Sequence, residues 1–263
     1  CPVVSVYKGR FFVVQREIVL ADVRQQIKSG AEHITFGDPD FFNGPTHAVR
    51  LVKSFHEEFP NITYDVTIKV EHLLAHPDKL AILVETGCLF VTTAVEETDN
   101  NVLIKLEKRH TREDFVNALI LARSSGLTLC PTFIPFHPWT TLLSYLDLLS
   151  KIVEMDLVEN VAPIQLAIRL LIPRYSRILE LKEIENHLGH FDAEKLSYNW
   201  KSSDPNVDDL QSKVNQTIQQ GLADGSTRRD IFKQVWMLAN EACNKPIPAL
   251  PNAKLDNDFI PSM

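Results

Sequence analysis

Two carboxylates spaced two residues apart, Asp38 and Asp40, stand in the run EHITFGDPDFF, residues 32–42. They follow four residues suited to a strand, His33–Phe36. Gly37 and Pro39 stop that strand, because glycine tolerates unusual φ while proline fixes φ and has no N–H to donate. Both acids therefore fall just past the carboxyl end of a predicted strand, where β/α folds place their ligands. Cations stand in comparable places further on. In Tyr64–Glu71 the alternation puts Tyr64, Val66, Ile68 and Val70 on one face and Asp65, Thr67, Lys69 and Glu71 on the other. Pro163–Leu171 splits the same way, with Gln165, Ala167 and Arg169 opposite Ile164, Leu166, Ile168 and Leu170. Thr92, Ala94 and Glu96 share a face of Cys88–Glu96. Carboxylates with Lys69 and Arg169 suit a polar, zwitterionic ligand, since buried charges are costly unless paired or bound. Internal ion pairs, or an exposed edge at Tyr64–Glu71, are the plainer alternative.

The elements that must position these residues alternate. Helix Glu17–Ser29, closed by Gly30, precedes strand His33–Phe36, and helix Thr46–Glu58 follows it. Strand Thr63–Val70, a turn at Glu71–His76, a short helix over Asp78–Glu85 and strand Cys88–Val95 come next. Helix Asn100–Lys108 is followed by helix Arg112–Ser124, for which Thr111 is the expected N-cap with acid in the first turn. Strand Leu127–Ile134, helix Thr140–Met155 and strand Pro163–Leu171 complete the alternation. Alternation of this kind predicts parallel strands with right-handed crossovers. The predicted fold class is α/β: a partial (β/α) barrel of parallel strands over residues 1–175, short of the units a closed eight-stranded barrel needs. A C-terminal helical extension over 176–245, with helices at Ser176–Leu188, Val207–Ala223 and Thr227–Cys243, and a Pro-rich tail over 246–263, expected to be extended or disordered, complete the division.

Of 263 residues, 44% are hydrophobic and 23% charged, the composition of a globular protein. The net charge of −7 and the lack of a basic block argue against a nucleic-acid partner. No apolar run reaches the length of a membrane span, so no membrane partner is expected. The four cysteines, Cys1, Cys88, Cys130 and Cys243, form no CxxC pair and no disulfide framework, so a reducing cytoplasm is the expected location. The chain opens on Cys1-Pro2 without an initiator Met, which leads us to expect a segment of a longer protein.

The order of these motifs resembles the radical S-adenosylmethionine (radical SAM) superfamily, over about Cys1–Pro173. Such enzymes use a partial β/α barrel, a [4Fe–4S] cluster held by three cysteines, and S-adenosylmethionine (SAM). Cys1, preceding the first helix by a loop, resembles the last of the three cluster cysteines. Gly37-Asp38-Pro39-Asp40 occupies the place of the motif that holds the methionine amino group, though it departs from the usual Gly-Gly-Glu. Ala94-Val95-Glu96-Glu97, with Val102-Leu103 and Lys108, resembles the segment after the fourth strand. Thr132-Phe133-Ile134-Pro135 and Pro138-Trp139-Thr140 sit where relatives carry a Gly-x-Pro-x-Glu-Thr stretch. The segments ITYDVTIKVEHLL, PFHPWTTLLSYLDLL and QLAIRLLIP look like a subgroup named for a C-terminal Cys-Cys/Sec-Ala-Glu-Pro tail, which these residues do not contain.

The resemblance implies that Asp38 or Asp40 takes the amino group of SAM, Lys69 or Arg169 its carboxylate, and Glu96 its ribose hydroxyls. It implies one-electron cleavage to a 5′-deoxyadenosyl radical acting on a small-molecule or peptide substrate, with an electron donor such as ferredoxin or flavodoxin. Other readings compete. Lys69 on an inward face suits a Schiff-base lyase, because a desolvated lysine is nucleophilic. Asp38, Asp40 and His72 suit a metal-dependent hydrolase only with poor ligand spacing. A non-catalytic barrel scaffold is the third. Among the rest, Cys88 and Cys130 read as buried small hydrophobes and Cys243 as structural or exposed. His72 and His76 read as polar surface residues, Trp139 as a helix anchor, and Tyr198 and Trp200 as pins for the extension.

Overall fold

The computed structural model describes residues 12–251. They fall into two compact units, one holding 12–95 and 110–131, the other 96–109 and 132–251. The protein is α/β, a partial β/α barrel of parallel strands followed by a helical extension.

In the first unit, helix α1 (Arg16–Lys28) leads into β1 (His33–Phe36). Pro45 opens helix α2 (Pro45–Glu58), where its missing N–H costs nothing, and Ala48, Leu51, Val52 and Phe55 form the buried stripe. Strand β2 (Thr63–Thr67) is followed by two short helices, α3 (Val70–Ala75) and α4 (Leu80–Glu85). Gly87, at φ +92°, turns the chain into β3 (Cys88–Glu96), and its carbonyl accepts from Tyr64 N. Helix α5 (Asn100–Lys105), which belongs to the second unit, and helix α6 (Arg112–Ser124), which belongs to the first, then precede β4 (Leu129–Phe133). The expected cap on α6 is a full capping box between Thr111 and Asp114.

The strands pair in the order β1-β2-β3-β4. The register sets Thr35 beside Asp65 and Thr67 beside Thr92, both parallel. The sheet's outer face packs on its helices through Phe36, Phe41, Phe55 and Tyr64, whose rings meet at 5.5–5.9 Å. Tyr64 also exchanges a 2.7 Å hydrogen bond with Thr86.

In the second unit, α7 (Leu142–Glu154) buries Tyr145, Leu146, Leu148, Leu149 and Ile152. A hairpin of β5 (Leu188–Asp192) and β6 (Ser197–Trp200) and helices α8 (Pro205–Ala223) and α9 (Arg228–Ala242) complete it.

Three expectations are corrected. The turn expected at Glu71–His76 is helix α3, because β2 ends at Thr67 and the apolar spacing Val70, Leu73 serves a helical turn. The strand expected at Pro163–Leu171 is a 3₁₀ turn, Pro163–Leu166, followed by chain that forms an isolated parallel bridge, Arg169 beside Phe136, past the end of β4. Pro163 starts the turn, and its three-residue period buries Pro163 and Leu166 while Ile164 stays exposed. The helix expected at Ser176–Leu188 is two 3₁₀ turns, Arg177–Glu180 and Lys182–Ile184, running into the hairpin. Ile178, Leu181 and Ile184 recur every three residues, which aligns them in a 3₁₀ turn and scatters them on an α-helix. They pack with Ile172 and Trp200 into a small core of their own.

Where α8 crosses α9, a Cβ on Gly221 would meet Ile231 Cγ1 at 2.6 Å, and Ile231 is fully buried. Gly221→Ala should therefore lower stability by about 1 kcal/mol, although alanine is the better helix former by a similar amount. Urea denaturation of the variant would measure it, and a rise in midpoint would contradict the packing.

Candidate cofactor site at the ends of the strands

The loop after β1 in the first unit separates its two carboxylates. Asp38 is half-buried, and Asp40 is 1% exposed. Asp38 Oδ1 accepts from Asp40 N at 2.9 Å, a local turn that proline at position 39 favours. Asp38 Oδ2 has no hydrogen-bond partner among the described residues, and Gly37 and Pro39 beside it are exposed. Asp40 points inward. Its Oδ1 accepts from Lys69 N at 3.3 Å, and Oδ2 lies 3.1 Å from Lys69 Nζ and 2.8 Å from His72 Nδ1. The approach of His72 is off the line of a hydrogen bond, so both Asp40 Oδ2 and His72 Nδ1 are buried without a well-aligned partner. Lys69 is the residue before α3, and its side chain is 49% exposed.

Behind this loop the sheet's inner face is polar, as its alternation predicts. His33 Nε2 meets Asp65 Oδ1 at 2.9 Å, His33 Nδ1 meets Thr63 Oγ1 at 2.8 Å, and Thr35 donates to Asp65 Oδ1 at 2.6 Å. Asp65 is thus answered within the sheet by the His33 ring and the Thr35 hydroxyl.

In the second unit Glu96 ends β3 at φ +69°, the left-handed region a non-glycine residue seldom enters. Its Oε1 accepts from Lys108 Nζ at 2.6 Å, while Oε2 has no hydrogen-bond partner among the described residues. Glu97 is buried, with Oε1 accepting from Thr98 N at 2.7 Å and Oε2 lying 3.2 Å from His137 Nε2. Sequence reasoning passed over the Glu97–His137 pair. Its only signal was a histidine between Pro135 and Pro138 in a loop following a strand.

Arg169 is committed elsewhere. It donates to Asp208 Oδ1 and to the Trp200 carbonyl, each at 2.6 Å, and stacks 3.6 Å over the Trp200 ring. This makes it a strut for the extension, with Trp200 pinning it as expected. Lys69 is half-exposed and ion-paired, unlike the desolvated lysine a Schiff base needs. Among the described residues no three His, Cys, Asp or Glu side chains converge to hold a metal ion, so Asp38, Asp40 and His72 make no metal centre. Cys1 lies outside the described residues. Cys88 and Cys130 are buried, and burial pushes the Cys88 thiol upward, away from the reactive thiolate. Cys243 donates to the Leu142 carbonyl.

The two loop acids should separate by experiment. Asp40→Asn, which removes the charge facing Lys69 and His72, should cost about 1–3 kcal/mol of stability. Asp38→Asn keeps the acceptor for Asp40 N and should stay within about 0.5 kcal/mol. Denaturant midpoints of the two variants measure the contrast, and equal losses would contradict the burial pattern.

No protein-family model and no curated protein matches the chain in sequence. Solved structures do match its fold. The cobalamin-dependent S-adenosylmethionine radical enzyme OxsB, with aqua-cobalamin and S-adenosylmethionine bound, is 16% identical over 80% of this chain and 37% of its own, with a TM-score of 0.65. Its form with aqua-cobalamin alone gives 17% identity, 80% and 38% coverage, and a TM-score of 0.64. The radical S-adenosylmethionine methyltransferase TsrM from Kitasatospora setae, 17% identical over 54% of this chain and 28% of its own, has a TM-score of 0.43, too low to bear on the fold. The chain thus spans less than two-fifths of OxsB, and across that span it shares the α/β fold of a radical SAM enzyme.

Proposed function

We propose that this chain is the SAM-binding partial barrel of a radical SAM enzyme whose substrate is unknown. The observation that carries the reading is an open carboxylate, Asp38 Oδ2, on the loop after β1 of a fold shared with OxsB. The residues fit the ligand's charges. In the first unit, Asp38 takes the ammonium of the methionine moiety. Lys69 pairs with Asp40 yet keeps donors to spare for the ligand's carboxylate, since an ammonium has three. Exposed Gly37 and Pro39 leave the loop backbone open to the ligand. Asp40 does not meet ligand; it anchors the loop that presents Asp38. In the second unit, Glu96 offers Oε2 to the ribose hydroxyls. Arg169 has its guanidinium engaged by Asp208 and Trp200, so the carboxylate falls to Lys69.

A [4Fe–4S] cluster held by Cys1 and two further cysteines would supply the electron that cleaves SAM to a 5′-deoxyadenosyl radical. Ferredoxin or flavodoxin suits the role of electron donor. Membership of the subgroup named for its Cys-Cys/Sec-Ala-Glu-Pro tail rests on the three segments named above. No described helix is long and apolar enough to cross a membrane.

The test is anaerobic purification of the full-length gene product that contains this chain, with iron, sulfide and visible absorption measured. About four irons per chain, colour lost in Cys1→Ala, and 5′-deoxyadenosine formed from SAM under reduction are expected. Asp38→Ala should keep the cluster and weaken SAM binding roughly tenfold, the worth of a hydrogen bond to a charged group. A colourless, iron-free protein would overturn the reading.

A further inference from the structure

Two consecutive acids at the end of β3 reach different partners. Glu96 goes to Lys108, and Glu97, 6% exposed, goes to His137, 2% exposed. In a regular strand the two would simply point to opposite faces. Here the backbone leaves the strand at Glu96, whose φ of +69° is a conformation that surrounding contacts must impose.

Those contacts are on both sides of Glu96. Its own carbonyl accepts from Ile134 N at 2.8 Å. The next residue, Glu97, is held through Oε1 by Thr98 N and through Oε2 by His137 Nε2. Glu97 Oε2 and His137 Nε2 share one hydrogen bond between two buried side chains. His137 is fixed in turn, because its main-chain N donates to Thr140 Oγ1, which donates to the Pro135 carbonyl at 3.0 Å. Its ring lies 5.6 Å from that of Trp139, and Lys105 Nζ lies 4.7 Å from the centroid of the Trp139 ring. Among the described residues His137 Nδ1 has no hydrogen-bond partner, and the ring's polar contact is with Glu97.

We propose that His137 is a positioning residue for Glu96: by gripping Glu97 it locks the left-handed turn and aims the free Oε2 of Glu96 at vicinal hydroxyls of the ligand. The inference rests on the reading of Glu96 as the ribose acceptor and adds what holds it in place. A merely structural His137 would support the loop without selecting for those hydroxyls.

The experiment uses the full-length protein and three probes: S-adenosylhomocysteine and its 2′-deoxy and 3′-deoxy analogues, with affinities measured by calorimetry. The wild type should prefer the ribo form over at least one deoxy form by about tenfold, and Glu96→Gln should reduce that ratio. His137→Ala should collapse the ratio below about threefold while leaving affinity for that deoxy form within about twofold. His137→Gln, whose amide can still donate to Glu97, should restore it. If His137→Ala does not fold, His137→Phe, which keeps the ring against Trp139 without the donor, is read in the same way. An unchanged ratio in His137→Ala or His137→Phe would overturn the inference, as would an equal loss for ribo and deoxy forms. No discrimination by the wild type would overturn the assignment of Glu96 itself, and the inference with it.

Discussion

The first unit is organised around one buried charge. Asp40 has nearly no exposure, and a carboxylate withdrawn from water must be met by cations and donors. It is met by the backbone and ammonium of Lys69, which caps α3, and by His72 in the first turn of α3. The loop after β1 and the start of α3 are thereby tied together at the carboxyl ends of adjacent parallel strands. Every other feature of the loop depends on this. With Asp40 drawn inward, the Asx turn made by Asp38 engages its Oδ1 and leaves its Oδ2 open. The buried charge thus contributes position more than net stability, since desolvation offsets much of what an ion pair gains.

The second unit solves a similar problem with a strained backbone. Strand alternation would turn Glu97 away from Glu96, and the left-handed residue at Glu96 breaks that alternation where the strand ends. The strain is held by neighbours that are themselves held: Ile134, Thr98, His137 and Thr140. The extension is fastened to the same unit through side chains. Lys105 pairs with Glu183 and covers Trp139, Arg177 pairs with Glu107, and Arg169 joins Asp208 to Trp200. The small core of Ile172, Ile178, Ile184 and Trp200 gives these polar links an apolar base. Exposed pairs such as Arg177–Glu107 add little, whereas the stacked, partly buried Arg169 is worth more.

Local physics wrote much of the fold into the sequence. Apolar spacing and caps set α1, α2, α6, α7, α8 and α9 to within a few residues, and the four-residue run His33–Phe36 is β1 as expected. Thr111 with Asp114 is a signal of four adjacent residues, complete without knowledge of the rest of the chain. The errors fell where a short apolar pattern fits two periods. Pro163–Leu171 reads as period two and Ser176–Leu188 as period 3.6, yet both contain apolar residues every third position and include 3₁₀ turns, at Pro163–Leu166, Arg177–Glu180 and Lys182–Ile184. Strand pairing, or its absence, decides such cases, and it depends on which neighbours are available.

The sequence by itself determined the parallel α/β order, the polar inner face of β2 and the presence of acids at the strand ends, because these follow from side-chain periodicity and from what Gly and Pro do to a chain. Only the tertiary structure decided which of those groups remain open. Asp38 and Asp40 are two residues apart in a loop with no periodicity, and the partner that hides Asp40 comes from another strand's end, 29 residues away. Arg169 was free in the sequence and is engaged in the fold by Asp208, 39 residues on. Glu97 and His137, 40 residues apart, make a pair that no local pattern announces. A side chain's type is local, but whether its charge is already answered depends on residues brought in by folding, and that availability is what a binding site requires.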